Sequence, residues 1–306
     1  MSRRVLVLKG GWSAEREVSL ATGANVTRAL TELGHDVIEI DAGHDLPARI
    51  TAVSPAPEVV FNALHGTGGE DGTVQGLLEV LGLPYTHSRV LASALAMHKP
   101  TAKKLFAQAG LACPRGRVMT KRELLAGEPM ARPFVIKPVG EGSSVGVRIV
   151  DENDPALGDT GFDWPWADRV LVEEFIPGRE ITVAVKGGEA LGVLEIRAAT
   201  SFYDYEAKYT PGRSDHILPA ELPADIYAAA MAIARDAHAC LGCRGVTRAD
   251  LRFDDMSSLA PRLALLEVNT QPGLTPTSLV PEIAAHAGIA FPDLVNWMVE
   301  DALCRG

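Results

Sequence analysis

The sequence predicts an N-terminal α/β lobe with a parallel sheet, followed by α+β lobes whose strands are antiparallel. Strand and helix patterns alternate over the first part of the chain, which is typical of a parallel sheet covered by helices. Between residues 170 and 198, three strand patterns follow one another with glycine turns between them, which indicates antiparallel pairing. The chain has 306 residues, 47% of them hydrophobic, and is therefore long enough to bury two or three cores.

The first lobe, predicted over residues 1–95, contains strands at 5–8, 37–40 and 59–64 and helices at 14–33 and 72–81. Turn-forming residues at 10–13 and 65–69 follow the first and third of these strands. Ligands of open parallel sheets bind beyond the carboxyl ends of the strands. The sequence therefore places a binding site at this edge.

The middle of the chain, residues 96–178, is predicted to form a small central α+β lobe. An amphipathic helix at 90–110 leads into it and ends at a glycine. The C-terminal lobe, residues 179–306, contains further antiparallel strands and a helix at 224–241. Residues 200–216 show no periodicity and are predicted to form a lid loop, because long loops in compact enzymes often cover the active site.

The composition excludes several classes of partner. A net charge of -10 and a pI near 5.3 oppose binding to nucleic acid or to an anionic membrane, and favour a small-molecule ligand. The start of the chain lacks a secretory apolar region, and no later apolar run has membrane-spanning length. The four cysteines do not form a regular framework, and Cys240 and Cys243 are interpreted as apolar residues at a helix end. A cytoplasmic location is expected.

Polar residues alternate with apolar ones in two neighbouring strands near the C-terminus. Arg248 and Asp250 share one face of the first strand, and Glu267 and Asn269 share one face of the second. If the strands pair as a hairpin, all four side chains lie on the same face. Two carboxylates and an amide oxygen are ligands suited to Mg2+. A solvated sheet face would give the same pattern, so both interpretations stay open at this point.

A glycine- and serine-rich loop from Lys137 to Gly146 lies between two predicted strands. Such a loop can turn backbone N–H groups toward phosphate oxygens, although a flexible hairpin has the same composition. The loop lacks the pattern of a Walker A motif. Lys99, Lys208 and Arg248 are further candidate phosphate contacts, although any one such residue taken alone is more often a surface charge. Together with the acids, these residues indicate nucleoside triphosphate chemistry rather than a redox cofactor.

Six segments of the chain have a distinctive order and length. They are 10–19 (GGWSAEREVS), 63–66 (ALHG), 69–72 (GEDG), 141–146 (EGSSVG), 202–209 (FYDYEAKY) and 267–273 (EVNTQPG). Through these segments the chain resembles the D-alanine–D-alanine ligase family from one end to the other. The resemblance implies an ATP-grasp fold that binds ATP between the central and C-terminal lobes. It also implies a two-step reaction, in which ATP converts one D-alanine to an acyl phosphate that a second D-alanine attacks to form a dipeptide for the bacterial cell wall. The family is usually homodimeric.

Roles for individual residues follow from the same resemblance. Glu15 would bind the ammonium group of the first D-alanine, close to His65, and hydrogen bonds from Ser143 and Tyr209 would tie the lid to it. Arg248 and the backbone near Gly273 would stabilise the tetrahedral intermediate, beside Ser278 and Leu279 at the second substrate's carboxylate. The residues expected to bind ATP are Lys99, Lys137, Glu141, Ser144, Glu173, Glu180, Phe202 and Lys208. Asp250, Glu267 and Asn269 would bind two Mg2+ ions, with Mn2+ as an alternative.

Three features depart from the commonest family pattern. His98 stands where many members carry Asp, Gln271 replaces a frequent Ser, and residues 275–277 vary before Ser278. The nearest alternative function is a D-alanine–D-lactate ligase, but ligases of that type resemble one another in lacking the tyrosine present here as Tyr209. A non-catalytic amino-acid-binding protein would not need the metal ligands, and a dehydrogenase would need a G-x-G-x-x-G motif that is missing.

Overall fold

The computed structural model describes residues 2–140, 142, 146–157, 168–198, 214–256 and 262–304. Within these ranges the chain forms three sheets, one for each predicted lobe. Most of the predicted lid loop and six of the predicted site residues lie outside the described residues. These six are Glu141, Ser143, Ser144, Phe202, Lys208 and Tyr209.

The first lobe is a parallel sheet with the strand order β2-β1-β3, as the alternating pattern predicts. The central strand β1 is buried on both faces, which explains its continuous apolar run from Val5 to Leu8. The glycines that follow it have positive φ angles, 78° at Gly10 and 83° at Gly11, so the chain turns sharply at the carboxyl edge. The elements are β1 (Arg4–Gly10), α1 (Arg16–Glu32), β2 (Asp36–Ala42), α2 (Leu46–Thr51), β3 (Val59–Asn62) and α3 (Thr73–Val80).

The central lobe contains a four-stranded antiparallel sheet with the order β4-β7-β5-β6. A short helix, α6, follows strand β4, and two reciprocal hydrogen bonds form a capping box at its N-terminus. The Thr120 hydroxyl accepts from the Glu123 N–H at 3.3 Å, and the Glu123 carboxylate accepts from the Thr120 N–H at 2.7 Å. The elements are β4 (Gly116–Thr120), α6 (Lys121–Leu125), β5 (Phe134–Pro138), β6 (Arg148–Val150) and β7 (Arg169–Glu174).

The C-terminal lobe contains a five-stranded antiparallel sheet with the order β10-β9-β8-β11-β12. The predicted hairpin forms: Arg248 lies opposite Asn269, and Asp250 lies opposite Glu267. No helix within the described ranges is long and apolar enough to span a membrane. The elements are β8 (Arg179–Lys186), β9 (Glu189–Ala198), β10 (Ser214–Ile217), α7 (Ala224–Cys240), β11 (Val246–Asp254), β12 (Arg262–Asn269), α8 (Leu279–His286) and α9 (Phe291–Cys304).

The single helix predicted at 90–110 is wrong, because the chain forms two helices there. They are α4 (Val90–Met97) and α5 (Lys99–Gln108), separated at His98, whose φ and ψ are -85° and 84°. Pro100 lies in the first turn of α5. A proline lacks an N–H and clashes with the preceding turn, so it is accepted at the start of a helix and not in its interior. The break gives Lys99 a fixed position at a helix start.

The predicted loop at 200–216 also needs correction at its end. Residues from Ser214 onward form strand β10, which pairs with β9 in antiparallel register, with Asp215 opposite Arg197. Polar edge strands of this kind carry little hydrophobic periodicity, since much of their stability comes from main-chain hydrogen bonds. The loop pattern therefore missed the strand.

The lobes share their hydrophobic cores. Ala102 and Phe106 of α5 pack with Ile181 and Leu251 of the C-terminal sheet. The last two helices, α8 and α9, pack against the first lobe through a cluster that contains Val5, Phe61, Ile283 and Val299. The chain therefore returns to its first lobe at the end, and the carboxyl edges of β1 and β3 face the end of β12.

Arg244 fastens the first lobe to the turn before β11. Its buried guanidinium donates to the carbonyl oxygens of His87 and Tyr85, both at 2.7 Å, and lies 5.0 Å from the centre of the Tyr85 ring. His87 has a φ of 71°, a conformation that a residue with a side chain rarely adopts. These hydrogen bonds hold the strained segment in place.

We expect Arg244→Ala to lower the free energy of unfolding by about 2–4 kcal/mol, because two buried carbonyl groups lose their donor. Arg115→Ala is the control, since its side chain is 88% exposed and pairs with Glu174 at 3.0 Å at the surface, a contact worth less than about 1 kcal/mol. Urea denaturation followed by circular dichroism measures both. Equal stability of the two variants would contradict the role of Arg244.

Candidate functional site

Two neighbouring clefts occupy the junction of the lobes. The polar cleft is lined mainly by charged and polar groups, among them Glu15, His65, Glu70, Lys99, Gly142, Arg248, Glu267, Asn269 and Gly273. The apolar cleft lies between the central and C-terminal sheets. Its lining includes Val135, Lys137, Ile149, Glu173, Phe175, Ile176, Glu180, Asp250, Leu266 and Glu267. Lys99 and Glu267 line both clefts, so they form the wall between them.

The carboxylates of Asp250 and Glu267 lie directly opposite each other in the β11–β12 hairpin. Like charges in opposite positions repel, and here each carboxylate has a cation close by. Arg248 donates twice to Asp250, at 2.8 and 2.7 Å, and the Lys99 ammonium lies 3.4 Å from Glu267. The Thr182 hydroxyl donates to Asp250 at 2.7 Å. The arrangement concentrates oxygen ligands and cations at the wall between the clefts.

Two carboxyl groups from the first lobe converge in the polar cleft. Glu15 is the residue before α1 and Glu70 lies in the loop after β3, and both side chains are buried. A methyl group placed on Gly142 would lie 2.9 Å from the Glu15 carboxylate and 3.2 Å from that of Glu70, so both acids face the same point. Burial, and then the charge of Glu15, raise the pKa of Glu70 well above the usual range of a carboxyl group. A positively charged group between them would relieve this repulsion.

His65 connects the loop after β3 to helix α1. Its ring nitrogen Nε2 lies 3.0 Å from the Thr22 hydroxyl of α1. Burial lowers the pKa of His65 to about 4, so the imidazole is neutral at physiological pH. His65 lines the polar cleft as predicted, but as an uncharged group.

In the apolar cleft, Glu173 is the centre of a buried charge cluster. Its carboxylate is 1% exposed and lies between two ammonium groups, those of Lys137 and Lys103. The Lys103 ammonium is 2.7 Å from Glu173, and burial lowers its pKa. At the other end of the cleft, Glu180 lies 3.5 Å from Arg252. The predicted nucleotide ligands Lys137, Glu173 and Glu180 therefore line one cavity.

Gly273, Ser278 and Leu279 lie between the end of β12 and the first residue of α8. Gly273 lines the polar cleft, whereas Ser278 uses its hydroxyl to accept from the Thr275 N–H at 3.0 Å. The Leu279 side chain is buried in the core shared with the first lobe. Leu279 can therefore contact a ligand only through its backbone, at the first turn of a helix where N–H groups lack intrahelical partners.

Sequence reasoning missed four residues of the site. Glu70 lies in a quoted signature but received no role. Lys103 is four residues after Lys99, a spacing that puts both on one helix face, and this was an available signal. Arg252 continues the alternation of Arg248 and Asp250 along β11. Thr182, in β8, carried no signal in the sequence.

The described part of the chain contains no group of three or more His, Cys, Asp or Glu side chains placed to hold a metal ion. The predicted set is different in composition, with two carboxylates and the amide of Asn269. The Asn269 side-chain oxygen accepts from the Gln271 N–H at 2.8 Å, so its orientation is fixed. These hard oxygen donors suit Mg2+, which needs few protein ligands and retains water.

Comparison with known proteins accounts for nearly the whole chain. Two family models match it, the D-ala D-ala ligase N-terminus over residues 42–88 and the D-ala D-ala ligase C-terminus over residues 107–300. The D-alanine–D-alanine ligase of Paramagnetospirillum magneticum is 57% identical and covers 99% of this chain and 100% of its own length. That of Parvibaculum lavamentivorans is also 57% identical, with coverages of 99% and 98%.

Solved structures of ligases also match the chain over nearly its whole length. The D-alanine–D-alanine ligase of Bacillus anthracis complexed with ATP matches with a TM-score of 0.79 and 32% identity, over 99% of this chain and 98% of that one. The D-Ala:D-Ser ligase VanG of Enterococcus faecalis matches with a TM-score of 0.79 and 28% identity, over 99% and 100%. The predicted ATP-grasp architecture is thereby confirmed. The chain belongs to the D-alanine–D-alanine ligase family.

Proposed function

We propose that this protein joins two D-alanines to D-alanyl-D-alanine at the expense of ATP, releasing ADP and phosphate for the synthesis of peptidoglycan precursors. The two bacterial relatives that are 57% identical to this chain are named D-alanine–D-alanine ligases. The alternative of a D-alanine–D-lactate ligase gains no support from these comparisons.

The observation that carries the proposal is the shared wall of the two clefts. The apolar cleft has the mixed apolar and charged lining of a nucleotide site, and the polar cleft has paired acids suited to an ammonium group. Because Lys99 and Glu267 line both, a triphosphate entering from one side meets an amino-acid carboxylate entering from the other at this wall. In-line transfer of a phosphoryl group requires this kind of placement.

In the first step, the carboxylate of the first D-alanine attacks the γ-phosphate of ATP, and ADP leaves. Glu15, together with Glu70, binds the ammonium group of the amino acid and thereby directs its carboxylate toward the wall. Lys99 and Lys137 neutralise the phosphate oxygens, while Glu173 and Glu180 bind the adenine and ribose. We assign further contacts with ATP to Glu141, Ser144, Phe202 and Lys208.

In the second step, the amine of the second D-alanine attacks the acyl phosphate and displaces phosphate, which forms the peptide bond. Arg248 and the backbone near Gly273 stabilise the negative charge of the tetrahedral intermediate. Ser278 and the backbone of Leu279, at the start of α8, bind the carboxylate of the second substrate. We assign to Ser143 and Tyr209 the role of closing the lid onto Glu15.

Asp250, Glu267 and Asn269 would bind two Mg2+ ions, or Mn2+ in their place, since the donor set fits the preference of these ions for oxygen. When bound, the ions would neutralise charge on the β- and γ-phosphate oxygens. Arg248 forms an ion pair with Asp250, and Lys99 forms one with Glu267. We also propose a cytoplasmic location, because ATP and the peptidoglycan precursors are supplied there.

We propose a homodimer that forms through an apolar surface patch, Val80, Val90 and Leu91. Val80 is 86% exposed at the end of α3, and Leu91 is 70% exposed at the start of α4. The ion pair between Glu79 and Arg89, at 3.7 Å, brings these two helix ends together. Neighbouring exposed apolar side chains of this kind mark interaction sites.

The function is tested by following ADP release with ATP and Mg2+ in four reactions: D-alanine alone, D-alanine with D-lactate, L-alanine, and no amino acid. We expect ADP release only with D-alanine, with the D-alanyl dipeptide as the product identified by mass. Removal of divalent ions with a chelator should abolish the reaction, and Mg2+ should restore it. A folded sample that hydrolyses or transfers no phosphate with D-alanine would refute the proposal.

Glu15→Gln removes the charge that binds the ammonium group. We expect the KM for the first D-alanine to rise about tenfold to a hundredfold, which is the value of a hydrogen bond to a charged group. Glu17→Gln is a matched control, because Glu17 is an exposed carboxylate in the first turn of the same helix. Initial rates over a wide range of D-alanine concentration measure both variants. Similar KM values for the two would remove Glu15 from the substrate site.

Leu91→Glu should convert the dimer to a monomer, because a buried unpaired charge opposes association. Leu33→Glu is the control, since Leu33 is 43% exposed on a different surface at the end of α1. Light scattering coupled to size-exclusion chromatography gives the mass of each. A wild-type protein that is monomeric at all concentrations would refute the dimer, and a dimeric Leu91→Glu would refute this interface.

A further inference from the structure

Gln271 lies in the segment between β12 and α8. Its side chain is 1% exposed. The preceding residues Glu267 and Asn269 line the polar cleft, and so does Gly273 after it. The residue is therefore surrounded by the site, although its own side chain points away from the cleft into the first lobe.

The side-chain amide of Gln271 forms a buried pair with Asn62, the last residue of β3. The Asn62 amide donates to the Gln271 side-chain oxygen at 3.0 Å and to the carbonyl oxygen of Gly69 at 2.9 Å. The Gln271 amide in turn donates to the carbonyl oxygen of Leu64. These contacts fix both ends of the loop that presents His65 and Glu70 to the polar cleft.

The backbone of Gln271 extends the same connection toward the proposed metal ligands. Its N–H donates to the Asn269 side-chain oxygen at 2.8 Å. A single residue thus bonds to the first-lobe loop with its side chain and to Asn269 with its main chain. Any shift of Gln271 would change the distance between the acids that bind the ammonium group and the wall where phosphate is transferred.

We propose that Gln271 is a positioning residue that sets the separation between the first D-alanine and the phosphoryl group in this enzyme. The inference rests on the proposed function. A serine hydroxyl ends one atom beyond Cβ, so it cannot reach both Asn62 and Leu64 as the longer glutamine amide does. The hydrogen-bonded amide pair with Asn62 therefore fixes the loop that presents Glu70 in this chain.

Two variants separate hydrogen bonding from size. Gln271→Ser shortens the side chain and is expected to fold, and Gln271→Met keeps the length but removes both hydrogen bonds. We expect each to raise the KM for the first D-alanine about fivefold or more while the KM for ATP changes less than about twofold, since only the loop that presents Glu70 is released. Val299→Ala, a core substitution in α9, controls for a general loss of stability.

Steady-state rates at varied D-alanine and ATP, together with the melting temperature of each variant, decide the matter. Val299→Ala should lower the melting temperature without changing either KM. If both Gln271 variants lose stability but keep the wild-type KM for D-alanine, or if both KM values rise in parallel, the positioning role is wrong. An inactive wild-type protein would instead refute the proposed function, so the two failures are distinguishable.

Discussion

The charge balance around Asp250 and Glu267 is the constraint on which the rest of the site depends. Two carboxylates that face each other on adjacent strands destabilise the hairpin unless cations lie beside them. Arg248 supplies one from the same strand, at 2.7 Å, and Lys99 supplies the other from the start of α5, at 3.4 Å. The wall between the two clefts therefore includes an ion pair between elements that are far apart in the chain, Lys99 with Glu267, and this pair forms only when the lobes are assembled.

The same principle applies to Glu173, which is buried between Lys103 and Lys137. A carboxylate removed from water is tolerated only when it is paired, and removal of one partner leaves a costly buried charge. Three groups that the proposed mechanism requires, Lys99, Lys137 and Arg248, thus already have partners. Binding of a triphosphate would exchange these partners for phosphate oxygens, so the site is charged and organised before a substrate enters.

The segment after β12 connects this wall to the first lobe. Asn25 of α1 donates to the carbonyl oxygen of Leu274 at 2.7 Å, and Gln271 bonds to Asn62 and Leu64. Helices α8 and α9 then pack against the first sheet. The carboxyl edge of a parallel sheet, where ligands bind, is in this way held against the end of an antiparallel hairpin that carries the acids. The relative placement of the two substrates follows from this contact.

Features that depend on local periodicity and on short motifs could be predicted from the amino-acid sequence. The alternation along β11 and β12 put Arg248, Asp250, Glu267 and Asn269 on one face, and the paired register agrees, because side chains in a strand alternate whatever surrounds it. The signatures were sufficient to indicate the family. Even the missed break at His98 had a local signal in Pro100, since a proline cannot continue a helix interior. The contacts of Lys103 with Glu173 and of Asn62 with Gln271 join residues far apart in the chain. They could be identified only in the folded protein. No sequence period links such residues, because their distance is set by how the lobes pack and by the need to pair every buried charge and amide.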